Sequence, residues 1–402
     1  MKYLILLGDG MADRPIARLG GRTPLEAADK PNMDALASAG EMGLVQTVPT
    51  GMPPGSDVAN LSVLGYDPRK YYSGRSPLEA VSIGAPLADG DVTFRVNLVT
   101  LSDEAEYADK RMLDYSSDEI SSEESAQLMA AVQKTLGSDA LQFYAGTSYR
   151  NLLVWKQGSV DCQLTAPHDI SQKIIGDYLP AGDHADEMRD LMRRSYELLK
   201  DHPVNLARTA RGLNPANSIW LWGQGTKPAL PTFEDLYGKS GAVISAVDLL
   251  KGIALCARMK VIPVEGATGN LHTNFTGKAQ AAADALINDV DFVYLHIEAP
   301  DECGHRGEVE GKVLAIEKVD GVLGQIRAQL DAAGEEYAIL LLPDHPTPLE
   351  TGSHCEKPVP YVLYRSGAAQ TNPRRYTEAE AEATGIFVTE GHMLIKQLTG
   401  NR

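Results

Sequence analysis

The sequence predicts an α/β protein in which a doubly wound sheet domain is interrupted by an inserted α+β domain. Near both ends of the chain, short apolar runs that lead into acidic residues alternate with helical stretches, which is typical of a largely parallel sheet covered by helices. The middle differs, because it combines a serine-rich acidic helix with several short strands. The length of 402 residues exceeds the usual range of one domain and agrees with this division.

Three apolar runs predict buried strands of the sheet. They are YLILLG (3–8), FVYLHI (292–297) and AILLL (338–342). Each run is nearly continuous rather than alternating, which fits strands that are covered on both faces. Acidic residues follow each run within a few positions, namely Asp9, Asp301 and Asp344. Since ligands gather at the carboxyl ends of such strands, these acids are candidates for a binding site.

Amphipathic stretches between the strands predict the helices that cover the sheet. They are TPLEAADKPNMDALASAG (23–40), GKAQAAADALIND (277–289) and KVLAIEKVDGVLGQIRAQLDAAG (312–334). Apolar residues recur at helical spacing in each of them. A later apolar run, PVPYVLY (358–364), predicts one more strand.

The middle of the chain predicts the inserted α+β domain. Its expected elements are an alternating strand (91–101), an acidic helix (116–136), two short strands (141–148 and 150–156) and a charged helix (184–202). The pattern of the main sheet resumes at NSIWLWGQG. We therefore expect residues 1–89 and 213–402 to form the sheet domain, and residues 90–212 to form an inserted domain.

Charge and cysteine content exclude several classes of partner. The formal net charge of −17 argues against nucleic acid or an anionic membrane surface, although metal ions or local cations could still hold a small phosphorylated substrate. No apolar stretch approaches the length of a membrane span, and the first apolar run is too short for a signal peptide. The four cysteines contain no CxxC motif and predict free thiols in a reducing compartment, so we expect a cytoplasmic protein.

Acids and histidines recur together at the predicted strand ends. One such residue alone is better explained as a helix cap or a hydrogen-bonded core histidine, but their recurrence in three segments predicts a metal centre. The candidate ligands are Asp9, Asp301, His305, Asp344, His345 and His354. Carboxylates and imidazoles together suit Mn²⁺ or Zn²⁺. Six ligands are too many for one ion but suffice for two, an arrangement that serves in-line phosphoryl displacement.

Ser56 is the candidate nucleophile. It follows Pro-Pro-Gly and precedes a helical run, so a simple capping role is the alternative explanation. A hydroxyl at a helix N-terminus feels the positive end of the helix dipole, and a neighbouring divalent ion would lower its pKa further. Such a serine could accept a phosphoryl group at neutral pH.

Together these stretches resemble the cofactor-independent phosphoglycerate mutases of the archaeal type, within the alkaline phosphatase superfamily. The resemblance extends over essentially the whole chain. It is carried by LLGDGMADRP (6–15), PPGSDVANLSVLGYDPRKYYSGRSPLEA (53–80), KSGAVISAVDLLKGIA (239–254), APDECGH (299–305), PDHPTP (343–348) and TGSHCEKPVP (351–360). It implies an alkaline-phosphatase-like sheet domain that carries the metals, and an inserted domain that helps to hold the phosphoglycerate.

The resemblance also implies a role for each metal-site residue. Asp9, Ser56, Asp344 and His345 would bind one ion, whereas Asp301, His305 and His354 would bind the other. The two divalent ions are expected to be Mn²⁺, with Zn²⁺, Co²⁺ or Mg²⁺ as alternatives. Ser56 would take the phosphoryl group from 3-phosphoglycerate and return it to the 2-hydroxyl of the bound glycerate. No bisphosphoglycerate cofactor is needed, because the donor phosphate stays on the enzyme.

Cations are expected to bind the phosphate and the carboxylate of the substrate, and arginine suits both because it donates in a bidentate manner. The candidates are Arg75, Arg95, Arg150 and Lys239, together with His168 and Asp169 of the TAPHDIS stretch. For each of them, a surface cation or a loop cap is an equally good explanation from the sequence alone.

Two alternative activities retain the same nucleophile and change the acceptor. A bacterial subgroup of this family has been proposed to act as homoserine kinase, and residues 53–75 resemble it at least as closely. The chain has no GxxxxGK[ST] phosphate loop, so the metals and the inserted domain would have to hold any nucleotide. In a metallophosphatase, water would discharge the same phosphoserine.

Overall fold

The computed structural model describes residues 1–369 and 373–400, which fall into two units. The first unit combines Met1–Tyr72 with the chain from Ala229 onward, and the second unit is Ser73–Pro228. Within the described residues, no helix combines the length and the apolar composition that a membrane span requires.

The helices and strands are numbered in chain order. The first segment of the first unit holds β1 (Lys2–Gly8), α1 (Pro24–Ala27), α2 (Pro31–Ala39), β2 (Glu41–Val45), α3 (Ser56–Val63) and α4 (Pro68–Tyr71). The second unit holds α5 (Ser76–Ser82), β3 (Val92–Leu101), β4 (Met112–Asp114), α6 (Ser122–Leu136), β5 (Leu141–Thr147), β6 (Arg150–Trp155), β7 (Cys162–Gln163), β8 (Ala181–Gly182), α7 (Ala185–Leu199), α8 (Pro203–Ala210) and β9 (Ser218–Thr226).

The remaining elements belong to the first unit. They are α9 (Phe233–Tyr237), β10 (Gly241–Ile244), α10 (Asp248–Cys256), β11 (Lys260–Val261), α11 (Phe275–Asn288), β12 (Phe292–Ile297), α12 (Ala299–His305), α13 (Val309–Ala332), β13 (Tyr337–Leu342), β14 (Val359–Arg365), α14 (Glu378–Ala383), β15 (Phe387–Val388) and α15 (Leu394–Thr399). Short 3₁₀ turns occur at Ala17–Leu19, Tyr107–Asp109, Pro167–Ile170, Gly176–Tyr178 and Gly391–Met393.

The first unit is built on an eight-stranded sheet with the order β11-β10-β12-β1-β13-β14-β2-β15. All of its strands run in the same direction except β14, which is antiparallel to both of its neighbours. Both faces are buried: Leu4 and Leu6 of β1 belong to the core that contains α11 and α13, and Ile5 and Leu7 are buried on the other face. The predicted α/β class with a doubly wound sheet is therefore confirmed.

Proline divides the first predicted helix into two. The stretch 23–40 forms α1 and α2 rather than one helix, because Pro31 has no N–H for a helical hydrogen bond and keeps Lys30 out of the helical conformation. Lys30 has φ −139° and ψ 61°. Pro31 is itself the first residue of α2, a position where the missing N–H has no consequence.

The second unit has its own five-stranded antiparallel sheet and its own core. β3 lies between β6 and β9, and all of its residues are buried. The expectation that the main sheet resumes at residues 217–225 is wrong, because β9 pairs with β3 along most of its length. For the same reason the second unit extends to Pro228 rather than to 212. It begins at Ser73 rather than at 90, because α5 also belongs to it and Ser76 of α5 donates to the carbonyl of Thr93 in β3.

Candidate metal centre

The ends of three neighbouring strands bring the candidate ligands to one edge of the sheet. β1 lies between β12 and β13, and the three strands are parallel. Gly8 pairs with Ile297, and Leu7 pairs with Leu342, so the three strands end at the same level. The segments that begin at Asp9, Glu298 and Pro343 therefore leave the sheet side by side.

One group of ligands consists of Asp9, Asp344 and His345, and we call it the Asp9 group. One ligand atom from each residue lies within 4.8 Å of the others, and all three residues are buried. His345 Nε2 is 3.7 Å from Asp9 Oδ1 and 3.3 Å from Asp344 Oδ2. Burial, followed by repulsion from Asp344, raises the pKa of Asp9 well above its usual value. A cation between these carboxylates would relieve that repulsion.

The second group consists of Asp301, His305 and His354, and we call it the Asp301 group. His305 Nε2 lies 3.1 Å from Asp301 Oδ2, and His354 Nε2 lies 3.5 Å from Asp301 Oδ1. The Nδ1–H of His305 donates to the carbonyl of Gly352 at 2.8 Å, and that of His354 donates to the carbonyl of Pro54 at 2.9 Å. Both rings therefore present Nε2 toward Asp301, as metal-binding histidines do.

The protonation of the Asp301 group reflects the same contacts. Burial alone would raise the pKa of Asp301, but hydrogen bonds from His305 and His354 lower it well below its usual value. The hydrogen bond to Asp301 raises the pKa of His305 to about 9. The two histidine Nε2 atoms are only 2.9 Å apart, so a proton or a cation must lie between them.

Direct contacts join the two groups. The rings of His345 and His354 stack with their centroids 3.8 Å apart. Thr347 donates its hydroxyl proton to Asp301 and lies 3.3 Å from His345 Nδ1. Because that proton is already used, Thr347 must accept from the Nδ1–H of His345, which leaves a lone pair on His345 Nε2. The two ligand groups thus lie side by side, as a two-ion centre requires.

Ser56 lies next to the Asp9 group. It is the first residue of α3, and its Oγ is 3.1 Å from His345 Nε2. Since that nitrogen carries a lone pair, the hydroxyl of Ser56 donates to it. The serine oxygen is therefore held beside the candidate ligands rather than used as a helix cap.

The donor sets fit divalent ions. Within the described residues, Asp9 Oδ1 is buried without a hydrogen-bond partner, although Asp9 Oδ2 accepts from His296. A buried carboxylate oxygen without a partner is unfavourable unless a cation neutralises it. Each group also combines carboxylate with imidazole, the set that transition-metal ions prefer.

In the second unit, the structure brings the candidate arginines together. Glu79 accepts from Arg75 Nε at 2.8 Å and from Arg95 Nε at 3.0 Å. Burial alone would raise the pKa of Glu79, but Arg95, Arg75 and then Arg150 lower it overall. The guanidinium of Arg95 lies over the ring of Trp222, with 4.4 Å to its centroid. We call Arg75, Arg95 and Arg150 the arginine cluster.

His168 and Asp169 lie in a 3₁₀ turn of the second unit. The His168 ring is 5.4 Å from the ring of Trp222, so His168 lies next to Arg95. Burial lowers the pKa of His168, which favours the neutral ring. Asp169 is largely exposed, and its carboxylate is 3.8 Å from His168 Nε2.

Comparison with known proteins assigns the family. Residues 37–205 match the family model for 2,3-bisphosphoglycerate-independent phosphoglycerate mutase. The chain is 51% identical over 399 residues to the protein of that name from Methanothrix thermoacetophila, with 99% of both chains covered. It is 50% identical over 401 residues to a probable 2,3-bisphosphoglycerate-independent phosphoglycerate mutase from Geobacter sulfurreducens, again with 99% of both chains covered. The chain belongs to this mutase family.

Solved structures agree with this assignment and confirm the predicted family. The PH0037 protein from Pyrococcus horikoshii matches with a TM-score of 0.83 and 32% identity over 100% of this chain and 98% of that one. The cofactor-independent phosphoglycerate mutase from Thermoplasma acidophilum matches with a TM-score of 0.66 and 26% identity, covering 100% and 99%.

Lys239 belongs to the first unit but lies away from the metal centre of this mutase-family chain. Lys239 precedes β10, and its Nζ lies 4.9 Å from the centroid of the Tyr3 ring. Tyr3 is at the start of β1, whereas Asp9 follows its end. At about 3.3 Å per residue, the strand separates Lys239 from Asp9 by roughly 20 Å. We therefore leave Lys239 out of the substrate-binding set proposed below.

Sequence reasoning missed three polar residues that support the site. His296 donates from Nε2 to Asp9 Oδ2 at 2.9 Å, and its Nδ1 is 3.2 Å from the hydroxyl of Ser245. Its signal was present, since a histidine interrupts the apolar run FVYLHI. Glu79 and Thr347 had no comparable signal, because an acid one helical turn after Arg75 and a threonine two residues after His345 do not stand out in the sequence.

Proposed function

We propose that this chain interconverts 3-phosphoglycerate and 2-phosphoglycerate without bisphosphoglycerate. The observation that carries the proposal is the position of Ser56 Oγ, 3.1 Å from His345 Nε2 and beside both ligand groups. Membership of the mutase family and the mutase names of its relatives support the same reaction. They favour it over the homoserine kinase alternative.

We further propose that the metal centre holds two divalent ions. Asp9, Ser56, Asp344 and His345 would hold one, and Asp301, His305 and His354 would hold the other. Mn²⁺ suits the mixture of carboxylates and imidazoles best, with Zn²⁺, Co²⁺ or Mg²⁺ as alternatives. When bound, such ions lower the pKa of a nearby hydroxyl and neutralise phosphate charge.

Ser56 would carry the phosphoryl group between the two substrate oxygens. Its Oγ loses its proton and forms a bond to phosphorus while the bond to the 3-oxygen of the glycerate breaks, and the released oxygen takes up a proton. The 2-hydroxyl then loses a proton and attacks the phosphoserine, which restores the Ser56 hydroxyl. Charge and atoms balance over the cycle, so no further phosphate donor is needed.

The arginine cluster is the proposed anion-binding part of the second unit. Glu79 accepts from one nitrogen of Arg75 and one of Arg95 and holds both guanidinium groups in place. Guanidinium groups bind carboxylates and phosphates through paired hydrogen bonds. We include Arg150 in the same set, because it also lowers the pKa of Glu79. We include His168 because it contacts Trp222, the partner of Arg95, and Asp169 because it lies beside His168.

We also propose that the protein works in the reducing cytoplasm. Within the described residues no disulfide joins its four cysteines. The formal charge of −17 favours a small phosphorylated substrate over nucleic acid or an anionic membrane as the partner.

The test uses the purified protein loaded with Mn²⁺. Formation of 2-phosphoglycerate from 3-phosphoglycerate is followed by coupling to enolase, in reagents free of bisphosphoglycerate. Release of inorganic phosphate and phosphorylation of homoserine by ATP are measured in parallel. We expect isomerisation to exceed both by orders of magnitude. Phosphate release at the rate of isomerisation would establish a phosphatase, and faster turnover of ATP and homoserine would establish a kinase.

A further inference from the structure

We infer that Asn60 and Tyr294 act as a positioning pair, in which one side-chain amide fixes Ser56 relative to Asp344. The inference rests on the proposed function, in which Ser56 is the nucleophile and Ser56 and Asp344 hold the same ion. Neither Asn60 nor Tyr294 is itself a candidate ligand, and both are completely buried.

The amide of Asn60 uses both of its N–H groups on the site. Its Nδ2 lies 2.8 Å from the backbone carbonyl of Ser56, one helical turn earlier in α3. The same nitrogen lies 2.8 Å from Asp344 Oδ2. One planar group therefore joins the start of the helix that carries the nucleophile to the carboxylate that follows β13. Asn60 and Asp344 are 284 residues apart in the sequence, and the amide joins the two segments directly.

Tyr294 fixes the orientation of that amide. Its hydroxyl donates to Asn60 Oδ1 from β12, the strand beside β1. With the amide reversed, Asn60 Oδ1 would face two acceptors, and the Tyr294 hydroxyl would face N–H donors. Burial raises the pKa of Tyr294 well above its usual value, so the hydroxyl keeps its proton and remains a donor.

The consequence for catalysis follows from the geometry. A nucleophile must be held within a fraction of an ångström of its productive position, and an error of about 1 Å can reduce the rate about 100-fold. Asn60 alone could rotate, but a hydrogen bond on each side of its amide prevents this. Ser56 and the Asp9 group are thereby held in one arrangement before any substrate binds.

The test compares two buried tyrosines of the same sheet. Tyr294→Phe removes the donor to Asn60, whereas Tyr361→Phe removes the hydroxyl of an equally buried tyrosine on β14, which donates to the exposed Glu41 at 3.0 Å. For Tyr294→Phe we expect kcat to fall about tenfold, with KM for 3-phosphoglycerate within about twofold of wild type. We expect the Kd for Mn²⁺, measured by calorimetry on the metal-free protein, to rise about tenfold. Tyr361→Phe should leave kcat, KM and Kd at wild-type values.

A second substitution extends the test. Asn60→Ala should lower kcat by about 100-fold, provided that circular dichroism shows a folded protein. Equal kcat and Kd values for the two tyrosine variants would overturn the inference, whatever their thermal stability. If the wild-type protein does not isomerise 3-phosphoglycerate, the proposed function fails, yet the Kd comparison still decides the positioning pair. A rise in Kd confined to Tyr294→Phe supports the pair, and no difference overturns it.

Discussion

Among single residues, Asp9 shows most directly why the site suits a cation. Its Oδ2 accepts from His296, whereas its Oδ1 is buried and, within the described residues, has no hydrogen-bond partner. A carboxylate in such surroundings is costly to keep ionised, and Asp344 and then Asp301 add repulsion. Because His296 occupies Oδ2, only Oδ1 of Asp9 is left to face Asp344 and His345, where an ion would supply its missing partner.

Removing the Ser56 hydroxyl tests the proposed phosphoserine. Ser56→Ala should reduce mutase activity by at least about 10⁴-fold, because it removes the oxygen that would accept the phosphoryl group. The fold and Mn²⁺ binding should be largely retained, since only one ligand oxygen is lost. Enolase-coupled rates and Mn²⁺ calorimetry provide the measurements.

Ser122→Ala is the matched control, because Ser122 is also the first residue of a helix. It lies in the second unit and accepts from the backbone of Ser148, so its loss should leave activity unchanged. Substantial mutase activity in Ser56→Ala would exclude a covalent intermediate on this residue.

Protonation of His305 should make Mn²⁺ binding depend on pH. The hydrogen bond to Asp301 raises the pKa of His305 to about 9, so below that pH an incoming ion must displace a proton. Affinity should therefore fall as the pH falls, by up to about tenfold per unit for each displaced proton. Burial lowers the pKa of His345, which is neutral over this range and adds no competing proton.

Calorimetry between pH 6.5 and pH 9 checks this prediction, and this range begins about 2.5 units below the His305 pKa and ends near it. Repeating the titrations in buffers of different ionisation enthalpy reports how many protons are released. Mutase activity should fall in parallel on mild acidification. A constant Mn²⁺ affinity with no proton release would mean that His305 is not a ligand.

The elements of the first unit follow from its local sequence patterns. Continuous apolar runs predicted β1, β12 and β13, and helical periodicity predicted α11 and α13. Periodicity missed the break at Pro31, because the apolar spacing continues through the turn before α2. It also misassigned β9, since an apolar run shows that a strand is buried but not which sheet it joins.

The start of α2 is stabilised from a distant helix, which gives a prediction for stability. Asp320 of α13 accepts from the backbone N–H of Met33 at 2.7 Å and from Asn32 Nδ2 at 2.8 Å. Asp320→Ala leaves the buried N–H of Met33 without an acceptor, while Asn32 Nδ2 keeps only the backbone carbonyl of residue 320. The change should lower the free energy of unfolding by about 1–3 kcal/mol. Urea denaturation measures the change, and KM should not change.

Glu310→Gln on the same helix is the control. Glu310 pairs with Arg18, and both side chains are largely exposed, so this change should lower stability by less than about 0.5 kcal/mol. Similar losses in the two variants would show that Asp320 does not cap α2.

For the whole molecule, sequence reasoning was strongest where parallel strands end together. That rule selects Asp9, Asp301 and Asp344 from the sequence alone, and the structure brings them to one edge. Asn60 could not be found in this way, because its role depends on Asp344, a partner far along the chain. Lys239 was selected wrongly, because the sequence does not tell at which end of the strands a loop cation lies, and Lys239 is at the end opposite Asp9.

Metal binding should stabilise the whole protein, because the Asp9 and Asp301 groups crowd buried carboxylates that an ion would neutralise. Each site should add about 2.7 kcal/mol when free Mn²⁺ is a hundred times its Kd. Excess chelator should abolish activity and lower the melting temperature, and Mn²⁺ should restore both. The variant carrying Asp9→Asn and Asp301→Asn should fold without any Mn²⁺-dependent shift, because it retains the shape of the site and loses its charge. Full activity in protein shown by elemental analysis to be metal-free would contradict the two-ion centre, as would an equal thermal shift in that variant.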